Sequence, residues 1–499
     1  MKVFFFYIGV PTPVFETELE LIRKHERSGD IVRVLQCTGN LGNCHWNQQH
    51  KKSQCAACRS RFRKGWSVLK PGGNVELKEF PQNKFTPSDL PDYFRSVEEL
   101  MQYRYDGEGI GTGVASSLIS IYQDHRLDTR VYRKEVAREL STSVQVYETL
   151  KREFKEFKPD RSYVFNGRIS GHLPAVLLCK RMGIDYLTYE VAGTWNRYLL
   201  RKNATAHSID ATREEMEMLW VDGGTEREKM AKAWFENKRA GVDQGTMMSF
   251  TKLQAKGLLP EGYDPEKKNI AIFNTTLDEY AAVEGWGNTL YFPDDTAGIG
   301  RILEAFEPDK RYVFYLRAHP HMKKLSRSRN SQLRDINELA SRFDNLRVIW
   351  PADSIDSYAL IDACEKIITF GSTIGIEAAY WGKASILAGR ATYEYFDCVY
   401  TPKTHEELVM LLEKDLPPLP ADSALKFGFR EISHGIPFEY FKGTGIKLGL
   451  ATGTFDGVKI KPDILASIWF KMIEFIWRVK RVVLEPSLIT TRLSRKQPA

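Results

Sequence analysis

Apolar and polar positions change rhythm along this chain. From about residue 160 onward, short apolar runs rich in β-branched and aromatic residues alternate with longer runs of helical period, and Gly, Pro or Asp closes each pair. Alternation of that kind predicts parallel α/β units. Residues 162–166 read as a strand, 173–182 as a helix with Pro174 in its first turn, and 185–190 as the next strand, one compact βαβ unit. A second series begins at 269–274 and runs through 311–316, 346–350, 366–370 and 384–388, strands enough for a full Rossmann-like domain. The segment 257–265 carries two prolines and two glycines ahead of that series and is the predicted linker.

Before residue 160 the pattern is less regular. Residues 1–8 and 31–36 read as strands and 131–157 as a charged helix, whereas 38–115 is polar, irregular and rich in Gly, Pro and Arg. The expected fold class is α/β, with two Rossmann-like domains facing a cleft. The first would span 1–258 with a Cys-rich insertion at about 37–115, the second 266–415, and an extension 416–499. In that extension, 464–484 sets Trp469, Phe470, Phe475 and Trp477 against a polar stripe of Ser467, Lys471, Glu474, Arg478 and Arg481, an amphipathic helix pattern. Such a helix suits an anionic lipid surface, or would pack on the first domain.

Composition narrows the class. A length of 499 residues exceeds one ordinary domain, and 42% hydrophobic with 27% charged residues is a globular balance. Lys and Arg number 71 against 64 Asp and Glu, and the net charge of +7 falls short of a nucleic-acid footprint, so no nucleic-acid partner is expected. The apolar run at 1–8 is too short for a signal peptide, and no stretch approaches a membrane span. The expected location is cytoplasmic, with peripheral contact at the inner face of the plasma membrane through 464–484.

Four of seven cysteines, Cys37, Cys44, Cys55 and Cys58, crowd together, with His45 and His50 as spare ligands. In a reducing compartment this predicts a structural zinc site, with disulfides, an iron–sulfur cluster or free thiols as alternatives. Cys179, Cys364 and Cys398 sit in apolar surroundings and read as core residues.

The strongest chemical motif follows the strand at 366–370. Gly371-Ser372-Thr373 leads directly into a helix, and such a turn can aim backbone N–H groups at a phosphate while Glu377, one turn on, accepts the hydroxyls of a ribose. A plain helix cap would look the same. At a neighbouring strand end, Arg317 and His319 project to one side of an extended chain and could reach a diphosphate or the sugar it carries. Thr275 and Thr276 follow a third strand end as phosphate ligands or as an N-cap. On the first domain, Glu190 ends a strand one βα unit after Asn166 and Arg168. It is the candidate general base, and a carboxylate paired with Arg168 or Arg197 is the alternative.

Residues 356–362, the run from Thr369 to Glu377, Trp381-Gly382-Lys383, and Phe165-Asn166-Gly167-Arg168 followed by Tyr189-Glu190 together resemble the bacterial capsule and surface polysaccharide biosynthesis glycosyltransferases. The resemblance covers about 160–410 and implies a GT-B fold. By position, Glu377 corresponds to the ribose-binding acid and Gly371 to Thr373 to the phosphate turn. It also implies a nucleotide-sugar donor, UDP or GDP favoured, on the second domain and a glycan or lipid-linked glycan acceptor on the first. No catalytic metal is expected, because Arg317, His319 and helix termini can stabilise the leaving diphosphate. A nucleotide-sugar epimerase of the same fold and a non-catalytic polysaccharide-binding or export component are the competing readings.

Overall fold

The computed structural model describes residues 1–81, 90, 91, 93–242, 244, 254–286, 291–328, 330–447 and 450–461. The predicted amphipathic helix at 464–484 lies outside the described residues.

Two sheets organise the chain. The first is built from β1 (Lys2–Tyr7), β2 (Ile31–Gln36), β3 (Val75–Glu79), β4 (Arg161–Phe165), β5 (Asp185–Val191) and β6 (Arg197–Lys202). The second holds β7 (Lys268–Phe273), β8 (Tyr312–Arg317), β9 (Leu346–Ile349), β10 (Lys366–Thr369) and β11 (Ala384–Leu387). Then β12 (Ile436–Pro437) returns to pair antiparallel with β6, and β13 (Phe441–Lys447) and β14 (Leu450–Phe455) form a hairpin. Spatial order is β3-β2-β1-β4-β5-β6-β12 in the first sheet and β9-β8-β7-β10-β11 in the second. Both follow the doubly wound order. Its connections part between β1 and β4 and between β7 and β10, and a crevice opens there at the carboxyl ends of the strands.

The strands form because their side chains are wanted on both faces. In β1, Phe4 and Phe6 join the core cluster under the helix Arg133–Phe157, while Val3, Phe5 and Tyr7 join the cluster on the opposite face. Phe4 meets Phe154 edge-on at 5.1 Å, and Phe5 stacks on Tyr163 at 4.7 Å. Each fully buried ring contributes roughly 1.5–3 kcal/mol, which is why a continuous apolar run reads correctly as a central parallel strand. β7 repeats the arrangement, with Ile270 and Ile272 on one face and Ala271 and Phe273 on the other.

Residues 37–115 are more regular than their composition suggests. They supply β3 to the first sheet, and the helices Lys52–Leu69, Val97–Gln102 and Ile110–Tyr122. Phe80, Phe94, Leu100, Ile110 and Val114 lie in the first domain's core. Gly111 belongs to a close helix contact, since a Cβ there would fall 1.9 Å from the Leu100 carbonyl oxygen.

The chain passes between the two domains at residues 203–208 and again at 434–435. The helices Ile209–Asp222 and Arg227–Ala240 pack with the helix Asp422–Ser433 on the second domain, where Met216, Trp234, Phe235 and Phe427 bury against Ile376, Leu387 and Tyr393. Polar contacts lash both passages together: Glu215 accepts from Arg201 of β6 at 2.8 Å and from Arg430 at 3.2 Å.

Candidate functional site

Register brings three strand ends of the second sheet level. Phe273 of β7 pairs with Arg317 of β8 on one side and with Thr369 of β10 on the other. Residues 274–276, 318–321 and 370–373 therefore emerge together at the switch point. A cavity of about 370 Å³ opens among them, lined by Thr275, Arg317, His319, Gly371, Ser372, Thr373 and Glu377. Thr276 is fully buried and is not among the residues lining it.

The turn at Gly371 admits no other residue comfortably. Its φ is +98°, and a Cβ would stand 2.8 Å from the Arg390 carbonyl oxygen. Ser372 Oγ accepts from the Ile374 N–H at 3.3 Å, and the helix Ile374–Tyr380 begins there.

Arg317 is 4% exposed. It donates one hydrogen bond, from a terminal nitrogen to the Asp353 carbonyl at 3.2 Å, while Nε and the other terminal nitrogen have no partner. Among the described residues no carboxylate forms an ion pair with it, and burial lowers its pKa against the opposing pull of the Asp353 charge. A buried cation kept in this state is costly on its own and favours an incoming anion.

His319 sits beside it in the cavity wall. Burial, helped by the nearby His321 and Arg317, lowers its pKa to about 4, so it is neutral at pH 7. Its Nδ1 accepts from the His321 N–H at 3.3 Å, which leaves the proton on Nε2 as a donor. The Asn274 side chain anchors the loop by accepting from the His319 N–H at 3.1 Å.

Glu377 is 1% exposed and heavily held. Lys238 Nζ stands 2.8 Å from Oε1, Thr373 Oγ1 donates to Oε1 at 2.9 Å, and the Tyr358 hydroxyl donates to Oε2 at 2.5 Å. Lys238 and Tyr358 are absent from the sequence-based candidates. Lys238 lies on a charged helix that reads as solvated surface. Its one sequence signal is Trp234 four residues earlier, over which its ammonium rests at 4.7 Å.

On the first sheet, Phe165 of β4 pairs with Tyr189 of β5, which sets Asn166 level with Glu190. Asn166 and Gly167 take φ of 59° and 85°, so the chain turns sharply at the strand end. Asn166 Nδ2 donates to Glu190 Oε2 at 2.9 Å, and the Val191 N–H donates to Oε1 at 3.0 Å. Burial pushes the Glu190 carboxyl above its ordinary pKa, more than these bonds pull it down. Among the described residues neither of the alternative ion pairs to Glu190, with Arg168 or Arg197, forms. Arg168 donates instead to Ser116 Oγ at 2.7 Å, and Arg197 to the carbonyls of Ser433, His434 and Gly435. The charges of Glu190, Glu279 and Asp278 all act on Arg168, which places it where the two domains meet. Asn166, Arg168 and Glu190 are not among the residues lining the 370 Å³ cavity.

A second cavity of about 660 Å³ adjoins the first, and Thr275 and Tyr280 line both.

The predicted zinc site finds no support. Among the described residues, no group of three or more His, Cys, Asp or Glu side chains is placed to hold a metal ion. Cys55 Sγ instead accepts from Asn47 Nδ2 at 3.2 Å, and Cys58 Sγ shares a hydrogen bond with the Tyr7 hydroxyl at 3.4 Å. Burial raises all four thiols, Cys58 to about 11, so each is protonated at neutral pH. A protonated, half-buried thiol packed on a core is a small apolar side chain. Cys179, Cys364 and Cys398 are buried. No helix among the described residues is long and apolar enough to cross a membrane.

Two doubly wound domains facing a cleft, with a glycine turn and a buried arginine at the second domain's switch point, define a GT-B architecture. The chain matches no protein-family model and no curated protein. Among solved structures it is similar to a β-Kdo 2,4-transferase, KpsC of Thermosulfurimonas dismutans, at 14% identity over 59% of this chain and 84% of that one, with a TM-score of 0.34. It is also similar to the UDP-GlcNAc 2-epimerase of Neisseria meningitidis bound to UDP-GlcNAc, at 12% identity over 86% and 98%, with a TM-score of 0.28. The UDP-GlcNAc 2-epimerase of Methanocaldococcus jannaschii in complex with UDP-GlcNAc and UDP matches at 12% identity over 86% and 98%, with a TM-score of 0.28. The architecture rests on the strand order.

Proposed function

We propose that this chain is a nucleotide-sugar-dependent glycosyltransferase that extends a bacterial surface glycan at the inner face of the plasma membrane. Arg317 carries the reading, because a buried guanidinium with two unpartnered nitrogens, beside a glycine turn at a sheet switch point, calls for a phosphate. The donor's diphosphate would receive hydrogen bonds from Arg317 and from the 371–373 backbone, with the neutral His319 ring beside it in the cavity wall. Glu377, held by Lys238, would accept from the ribose hydroxyls. UDP or GDP is the carrier we favour.

Glu190 would take the proton of the acceptor hydroxyl. That oxygen then attacks the anomeric carbon while the bond from this carbon to the phosphate oxygen breaks, and the electron pair leaves on the nucleotide, where Arg317 neutralises it. The raised pKa of Glu190 makes it a stronger base for this step. No metal ion enters the scheme.

Thermal-shift measurements with UDP, GDP, CMP and their sugars test the donor half, repeated on Glu377→Ala. A melting shift from one nucleotide family, reduced in the variant, is expected; no shift with any of them defeats the proposal. An epimerase of this architecture would need only the donor cavity, whereas the larger cavity beside it weighs toward a transferase. Epimerised sugar released from donor alone, without any acceptor, would reverse that judgement.

A further inference from the structure

Nothing in the donor scheme uses the 660 Å³ cavity, although it is the larger of the two. Both domains wall it. The helices Val97–Gln102 and Ile110–Tyr122 lie on one side, and Thr275, Asp294, Asp295 and Arg390 on the other.

Its arginines are already paired. Arg390 clasps Glu394 through Nε and a terminal nitrogen at 2.8 and 2.7 Å, and Arg126 pairs with Asp335. His125 Nε2, buried without a hydrogen-bond partner, stands 3.9 Å from Asp294 Oδ2. Among the described residues a phosphate entering here would meet no unpaired guanidinium like that of Arg317. Asp295, 1% exposed, accepts from Gln332 Nε2 at 2.8 Å through Oδ2, and its Oδ1 has no hydrogen-bond partner. Burial and the neighbouring Asp294 raise its carboxyl to about 8 against the pull of the Gln332 and Asn274 amides, so at pH 7 it is an uncharged acid.

The aromatic part of the wall is fixed in place. Tyr280 and Trp286 stack with centroids 4.2 Å apart and planes 15° apart, and Trp286 Nε1 donates to the His207 carbonyl at 2.6 Å. Ring faces take the C–H surface of a sugar, and an uncharged carboxyl both donates to and accepts from hydroxyls.

We infer that this cavity binds the acceptor as an uncharged, hydroxyl-rich glycan, seated on Tyr280 and Trp286 with its attacking end at Thr275, where the donor cavity begins. The assignment of an attacking end rests on the transferase reading above. Acidic glycans and phosphorylated headgroups find no unpaired guanidinium here among the described residues and are disfavoured.

A glycan array of defined neutral and acidic bacterial oligosaccharides is the probe, read at pH 7 for the wild type, Trp286→Ala, Asp295→Leu and Asp295→Asn, with the nucleotide thermal shift measured alongside. Capture of neutral glycans is expected, weakened about tenfold by Trp286→Ala and Asp295→Leu and largely kept by Asp295→Asn, while the nucleotide shift persists in all four. The inference is overturned if no neutral glycan is captured, if only acidic glycans are, or if neither disruptive variant changes capture. Neutral-glycan capture without any nucleotide shift would uphold this cavity and defeat the donor reading instead.

Discussion

Replacing Arg317 by Met should make the empty protein more stable and the nucleotide-bound protein less so. Met removes a guanidinium that is 4% exposed, has two nitrogens without partners and forms no ion pair with a carboxylate among the described residues, while keeping an unbranched stem in the same space. Relief of that burial is worth about 1–3 kcal/mol, less the bond lost to the Asp353 carbonyl. In a domain of roughly 150–250 residues this raises the melting temperature by about 2–4 °C per kcal/mol. With nucleotide the sign reverses. Losing a charge-assisted contact to phosphate costs about 2–4 kcal/mol, or roughly 30- to 1,000-fold in affinity. At a nucleotide concentration about a hundred times the wild-type dissociation constant, the wild type gains about 2.7 kcal/mol, whereas a variant weakened a hundredfold gains about 0.4. The two melting curves should therefore exchange order when nucleotide is added, by differential scanning fluorimetry. A variant that melts lower when empty, or that keeps the full nucleotide shift, refutes the claim that Arg317 waits for an anion.

Three further outcomes follow from the same geometry. Gly371→Ala forces a Cβ to 2.8 Å from the Arg390 carbonyl at a φ of +98°, so it should lose about 1–3 kcal/mol of stability by chemical denaturation and most of its nucleotide shift. Glu190→Gln should lower kcat by about 10²- to 10⁴-fold in a transfer assay and leave nucleotide binding unchanged; weakened nucleotide binding instead would remove it from the role of base. His172 is 2% exposed between Phe6 and Phe165 with neither ring nitrogen bonded, and burial lowers its pKa to about 3. Its contribution is intact above the unfolded value near 6.5 and is lost as pH falls toward 3, so His172→Phe should flatten the acid limb of stability by about 1.4 kcal/mol per pH unit across that window. Parallel acid limbs in the two proteins would contradict this.

Strand positions were legible because parallel strands are buried on both faces and leave continuous apolar runs such as 1–8 and 269–274. The gathering of Thr275, Arg317 and Gly371 at one edge was legible for a related reason: ligands collect at the carboxyl ends of such strands, and the residue after each run was visible. Residues 38–115 were not legible. Their burial is contributed by scattered side chains such as Phe80, Phe94 and Leu100 and by glycines in close helix contacts, which leave no period to read. The spacing of the four cysteines resembled a metal site, and their thiols do lie near enough to act on one another, yet Cys55 and Cys58 hydrogen-bond to Asn47 and Tyr7 and no metal-holding group forms among the described residues. Lys238, Tyr358, Tyr280 and Trp286 came into view only through packing between segments distant in sequence.

The double passage of the chain constrains how the molecule can move. Two bodies tied together at one point can swivel freely, but here both ties, at 203–208 and 434–435, lie beside β6 and are bound to each other through Arg201, Glu215 and Arg430. Two such ties favour a hinge about the line joining them over a twist. Gly193, whose N–H donates to His434 Nε2 at 2.8 Å, lines the donor cavity near that axis, opposite the turn at Gly371. Closure about such an axis would narrow the far mouth of the cleft most and the hinge side least; on the transferase reading proposed above, a nucleotide seated near the axis would be gripped early while a long glycan could still slide through the open end.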